Sequence, residues 1–143
     1  MKEIQQALIQ ELKSETQREN LTNLVLFVVS ELREKGFTQL DTKNIKGIIN
    51  TGINENITSA YIIGAIGHLT GFFDFKVDYE ACYKLAERMI SSSDEDCYDL
   101  GYLILACLSS MGMGCKKSID KAKLYIDRIK DKGVILNAVL IMH

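Results

Sequence analysis

The sequence predicts an all-α protein built from helical hairpins, on three observations. Apolar residues recur at helical spacing along most of the chain, proline is absent, and one helix–turn–helix unit occurs twice with a shift of 41 residues. The clearer copy spans residues 101–133. Its first part, with Gly101, Leu105, Ala106 and Leu108, is small and apolar and ends at Gly112 and Gly114. Its second part sets Ala122, Tyr125, Ile126 and Ile129 at helical spacing and closes at Gly133. Glycines at 112 and 114 admit the backbone angles of a sharp interhelical turn. Small residues at Gly101 and Ala106 suit a helix whose neighbour comes close.

With the shift of 41, Tyr61 falls on Tyr102, Ile63 on Ile104, Ala65 on Ala106, Gly71 on Gly112, Lys76 on Lys117 and Ala81 on Ala122, while Ala60 meets Gly101. One hairpin cannot bury its own apolar face, so the recurrence predicts stacked units, with a third copy opening at Ala138. A small residue, a Leu-small pair four positions on, Gly-x-Gly, then Ala ten residues after the first Gly: this pattern resembles the Sel1-like repeat, a relative of the tetratricopeptide repeat. Gly101, Leu105, Ala106, Gly112, Gly114, Ala122, Tyr125 and Gly133 carry it in the second copy. Ala60, Gly64, Ala65, Gly71 and Ala81 carry it in the first, where Phe73 replaces the second turn glycine and His68 stands where the family favours an aromatic. The turn-proximal Asp of the family is displaced to Asp78 or Asp120. The resemblance covers residues 59–143. It implies a right-handed α–α superhelix (Sel1-like or tetratricopeptide-like hairpins), with residues 1–58 as an N-terminal helical cap in a single domain, 1–143.

Within that cap, residues 2–17 place Ile4, Ala7, Leu8 and Leu12 on one amphipathic stripe. A second helix over residues 20–35 is apolar nearly all round its centre, which predicts burial on more than one side; Gly36 stops it. Asp41 or Thr42 caps a third helix carrying Ile45, Ile48 and Ile49, which Gly52 and the polar 54–56 end. Thr58 or Ser59 caps the first repeat helix. In the turn that follows, Phe72, Phe73 and Phe75 are either plugs between hairpins or an anchor for a partner. A helix over 79–90 leads to the loop at 91–96, whose acids sit at the start of the next helix, where negative charge is favoured.

Composition narrows the function classes. A chain of 143 residues suits one domain with a real core, and a net charge of −2 gives no nucleic-acid footprint. Residues 71–100 carry eight acids against three bases, and residues 101–143 seven bases against three acids, a polarity that either steers a charged partner or reflects solvated faces. The most apolar run, residues 24–29, is far too short to span a bilayer. No signal peptide is readable, and Cys82, Cys97, Cys107 and Cys115 show neither C-x-x-C nor a histidine at metal-ligand spacing, so a cytoplasmic protein with reduced thiols, no metal and no cofactor is expected. The regularly spaced cysteines of secreted relatives of the family are missing.

Catalytic constellations are not assembled either. His68 and His143 are the only histidines, His68 reading as a packing residue; residues 112–114 lack the strand and the G-K-S/T of a phosphate loop, and residues 94–99 lack the glycine and distal Glu of a calcium loop. A non-enzymatic protein-binding protein is the expectation. Tyr61 and Ile63, then Tyr102 and Ile104, fall at equivalent places on the first helix of each hairpin, where they form either a groove wall with tyrosine anchors or a surface covered by the N-terminal helices. Tyr98 and the acids Asp94, Glu95, Asp96 and Asp99 complete the candidate partner-binding set. The resemblance implies an adaptor or inhibitor, similar to immunity proteins that block a cognate bacterial toxin, and the acidic patch suits a basic toxin domain. The alternative is a self-associating regulatory or scaffold subunit, so the expected state is a monomer or weak homodimer.

Overall fold

The computed structural model describes residues 15–133, and every regular element among them is helical. The helices are α1 (Glu15–Glu34), α2 (Ile45–Asn54), α3 (Thr58–Thr70), α4 (Tyr79–Met89), α5 (Glu95–Met111) and α6 (Ile119–Asp127), with a short 3₁₀ turn at Phe72–Asp74. The third copy expected from Ala138 and the stripe of Ile4, Ala7, Leu8 and Leu12 lie outside the described residues. From α3 onward each helix packs on the next, and α1 and α2 pack on each other and on α3. None of these helices is long and apolar enough to cross a membrane.

Among the described residues α1 is already helical at Glu15, ahead of the expected start at Asn20, and residues 15–20 hold no glycine or proline to break it. Leu21, Val25, Val28, Val29 and Leu32 face the core, while Leu26 and Phe27 remain 58% and 54% exposed. Burial on more than one side is therefore not met among the described residues. Gly36, at φ +100°, ends the helix, and Phe37 N–H returns to the Leu32 carbonyl at 3.0 Å.

Two expected caps are corrected. Asn44, rather than Asp41 or Thr42, caps α2 by accepting the Gly47 N–H at 3.0 Å; Asp41 instead accepts from Lys43 N–H in the preceding turn. The residue before α3 is Ile57, which offers no side-chain cap, so neither Thr58 nor Ser59 plays that part. Ile57 is drawn into the core, and its burial sets the entry of the chain into α3.

The pairs α3–α4 and α5–α6 are closed by matching devices. Gly71 and Gly112 are the left-handed C-caps, at φ +80° and +67°, and their N–H groups return to Gly67 and Leu108. Asp78 and Ser118 cap the second helices, accepting from the N–H groups of Ala81 and Lys121. Each cap residue also donates its own N–H across the turn, Asp78 to the His68 carbonyl at 2.9 Å and Ser118 to the Ser109 carbonyl at 2.8 Å.

The caps differ by 40 residues whereas the C-caps differ by 41, so the second turn is one residue shorter. Cys82, not Ala81, therefore occupies the place of Ala122: both are fully buried, while Ala81 is half-buried. Asp78 and Ser118 are counterparts as caps, and Asp120 lies further on, inside the first turn of α6.

Helix contact is closest where side chains are smallest. A Cβ on Gly101 would lie 2.9 Å from Met89 Cβ and 3.1 Å from the Ala86 carbonyl oxygen, which fits the approach of α5 to α4. Gly67 makes room for Phe75, whose ring also meets His68 edge-on at 5.1 Å. Phe75 is thus the plug. Phe72 lies under the Arg18 guanidinium at 5.2 Å, and Phe73 lines a shallow apolar groove with Val25, Leu26, Val29, Ile45 and Ile48.

Candidate functional site

The expected tyrosine and isoleucine wall is taken into the core. Ile63 and Ile104 are fully buried, and Tyr61 and Tyr102 retain only 9% and 7% of their exposure. A helix followed by a partner on each side has no free broad face, which is why equivalent positions on α3 and α5 point into packing rather than outward. Tyr102 stacks edge-on with Tyr98 at 4.9 Å and lies 5.9 Å from Tyr125. The Tyr125 hydroxyl in turn meets that of Tyr83 at 2.9 Å, tying α4 to α6.

The acidic set divides. Asp94 caps α5, accepting the Cys97 N–H at 3.1 Å, and Glu95 and Asp96 stand exposed in the first turn, stabilised by the positive end of the helix dipole. Asp99 leaves the patch. It is 2% exposed, and its two oxygens accept the N–H groups of Lys130 and Asp131 at 2.8 and 3.0 Å. Residues 95 and 99 share a helix face one turn apart, but only at 99 does the chain leaving α6 cover that face, with Lys130 and Asp131 against the carboxylate. Tyr98 is half-buried, with the Lys130 ammonium 4.5 Å above its ring.

At the same end of the hairpins, where α4 stops and α3 starts, lies a cluster the sequence reading missed. Arg88 stacks 4.5 Å over the Tyr61 ring, and its Nη2 donates to the Tyr61 hydroxyl at 2.9 Å and to Asn56 Oδ1 at 3.1 Å. The Tyr61 hydroxyl donates to the same Asn56 oxygen at 2.7 Å. Asn56 holds φ +59°, a conformation Asn tolerates better than most residues. These residues, with Thr58, Ser91 and Ser92, line a cleft of about 330 Å³. Arg88 lies 27 and 32 residues from its two partners, so no local pattern could have announced the contact.

No family model, curated protein or solved structure matches the chain. The chemistry of the edge thus rests on its own residues. Burial pushes the Cys82 and Cys107 thiols up to about 12 and Cys97 up to about 11, so at neutral pH these three are protonated and poorly nucleophilic. Cys115 is half-buried, with its Sγ 3.9 Å from the Ser109 hydroxyl. His68 donates from Nδ1 to the Lys76 carbonyl at 3.2 Å and so latches the first turn. Among the described residues no group of three His, Cys, Asp or Glu side chains could hold a metal ion. What the edge does present is carboxylates, aromatic rings and one stacked guanidinium.

Proposed function

We propose that this chain is a Sel1-like helical-hairpin array that acts as a non-enzymatic protein-binding protein, a cytoplasmic immunity or inhibitor protein that neutralises a bacterial toxin. The observation that carries the reading is the exposed start of α5, where Glu95 and Asp96 stand without a cation within 4.0 Å among the described residues. Carboxylates held at a helix N-terminus are placed at no cost to folding, and a partner with a basic face would meet them during encounter. Half-buried Tyr98 beside them supplies apolar area for the docked state. The paired turns of the two hairpins support the repeat reading, with α1 and α2 as the N-terminal cap.

The test is growth rescue and pull-down with the product of the adjacent gene. The reading expects rescue by the wild-type chain and at least tenfold weaker binding for the double variant E95K/D96K, which reverses the local charge. No binding and no rescue would sink it. A second reading, self-association, is favoured by the exposure of Leu26 and Phe27 on α1. Sedimentation decides it: a monomer at micromolar concentration removes this version.

A further inference from the structure

We propose that the cleft bounded by Asn56, Thr58, Tyr61, Arg88, Ser91 and Ser92 is a binding site for a carboxylate group, supplied by an acidic residue of a partner polypeptide. Arg88 is, among the described residues, the only charged side chain lining it. Among the described residues no carboxylate lies within 4.0 Å of Arg88, so its charge is uncompensated. The guanidinium is nonetheless held: the Tyr61 ring beneath it and the two oxygens that accept from Nη2 fix its plane before any ligand arrives. Only Nη2 is spent on these contacts, which leaves the donors of Nη1 and Nε. An arginine fixed in this way loses little rotamer freedom on binding, and that loss is a main cost of recruiting a long side chain.

The remaining lining is made of hydrogen-bond donors. Thr58, Ser91 and Ser92 line the cleft, and the Ser92 hydroxyl, which accepts the Asp94 N–H at 3.0 Å, keeps its own proton to donate. Thr58 also opens α3, a helix of 13 residues whose N-terminus has no side-chain cap. One positive charge, neutral hydroxyls and an uncapped helix start match a singly charged, planar carboxylate. A phosphate monoester would bring nearly two negative charges to a single cation. The site also lies beside the exposed acids of α5, so a partner reading this edge meets both signs of charge, which fixes register better than either alone.

The inference rests on the protein-binding reading only for the origin of the carboxylate, and its test needs no partner. N-acetyl-aspartate N-methylamide is titrated into the isotopically labelled protein, followed by the Arg88 Nε–H resonance and the amides of Thr58, Ser91 and Ser92. N-acetyl-glycine, N-acetyl-asparagine N-methylamide and inorganic phosphate serve as parallel probes. Saturable shifts are expected with the aspartate probe in the millimolar range, as for one charge-assisted contact, and none with the asparagine probe. R88K, which keeps the charge but loses the planar fork, should bind at least tenfold more weakly with an unchanged thermal midpoint. Tighter binding of N-acetyl-glycine than of the aspartate probe would overturn the side-chain origin in favour of a chain terminus. The proposal is overturned outright by no saturable shift up to about 50 mM, by equal shifts with the asparagine probe, by phosphate binding more tightly than the carboxylates, or by R88K binding as wild type. Saturation here together with failed growth rescue would keep the cleft and remove the toxin partner, so the two failures are distinguishable.

Discussion

In the α5–α6 hairpin the turn is made by Gly112 and Gly114, at φ +67° and +71°; in the α3–α4 hairpin Gly71 fills the first of those places, but the second is Phe73, at φ +57°. Both turns need left-handed residues at these two places, met by different side chains, and the first turn, one residue longer, adds Asp74 at φ +62°. What separates the two turns is room. A Cβ at Gly114 would sit 2.3 Å from the Tyr79 carbonyl oxygen, because the second turn lies against the start of α4. Phe73 is half-buried, edge-on to Phe72 at 6.2 Å and lining the apolar groove beside α1 and α2, so a bulky residue held in the left-handed region is tolerated there for the surface it covers. The two hairpins thus share dihedral angles at these two places and differ in side chain where a neighbour leaves room.

The sharpest way to break that comparison is Gly114→Ala. Steric overlap with Tyr79 adds to the positive-φ penalty, and a loss of about 3 kcal/mol is expected from urea unfolding. A loss below 1 kcal/mol would mean that the second turn has the same freedom as the first.

Asp99 offers the next contrast. Counting 41 back places Thr58 at the corresponding position of α3, yet Thr58 lines a cleft whereas Asp99 is buried and holds two backbone N–H groups. Asp99→Ala orphans both amides and should cost about 2–3 kcal/mol, while Thr58→Ala should stay within about 0.5 kcal/mol. Equal costs in the two hairpins would show that the Lys130–Asp131 anchor contributes nothing to stability.

Much of this architecture was legible in the sequence, and what was missed shares a physical origin. The helices, Gly36, Gly71 and Gly112 were readable because periodicity and positive φ are local properties. The cap at Asn44 was missed since Asp41 and Thr42 are equally good cap residues, and only the packing of Ile48 and Ile49 sets where α2 begins. The register slip that pairs Cys82 with Ala122 is invisible to a fixed shift. At the edge, Glu95 and Asp96 are exposed as the loop composition suggested. The burial of Asp99, Ile63 and Ile104, and the clustering of Arg88 with Tyr61 and Asn56, depend on which helix packs where. Such long-range facts leave no trace in spacing.

Cys82 and Ala122 sharpen the comparison through pH. Desolvation, which disfavours the thiolate, is the main cause that raises the Cys82 thiol to about 12; Cys107 and Asp78 nearby push in the same direction. The folded state keeps this proton at alkaline pH, whereas the unfolded chain loses it near pH 8.5. The stability it contributes is therefore complete below that value and is lost as pH rises towards 12. Cys82→Ala removes the linked proton, and the fall of unfolding free energy between about pH 9.5 and 11 should become shallower by about 1.4 kcal/mol per pH unit. An identical slope in wild type and variant would show that the thiol ionises freely in the folded protein.

The smallest effect runs the other way and concerns Ser59, next to the Ala60–Gly101 pair. Its hydroxyl is buried without a hydrogen-bond partner among the described residues, while Leu100 takes the corresponding place in α5. A buried hydroxyl that makes no bond has given up its water for nothing, and removing one oxygen leaves a void smaller than a methyl group. Ser59→Ala is expected to stabilise the protein by about 0.5–1 kcal/mol, read as a rise in thermal midpoint with unchanged cooperativity. A fall instead would mean that an ordered water binds the hydroxyl, and that α3 needs it at the end where α5 needs none.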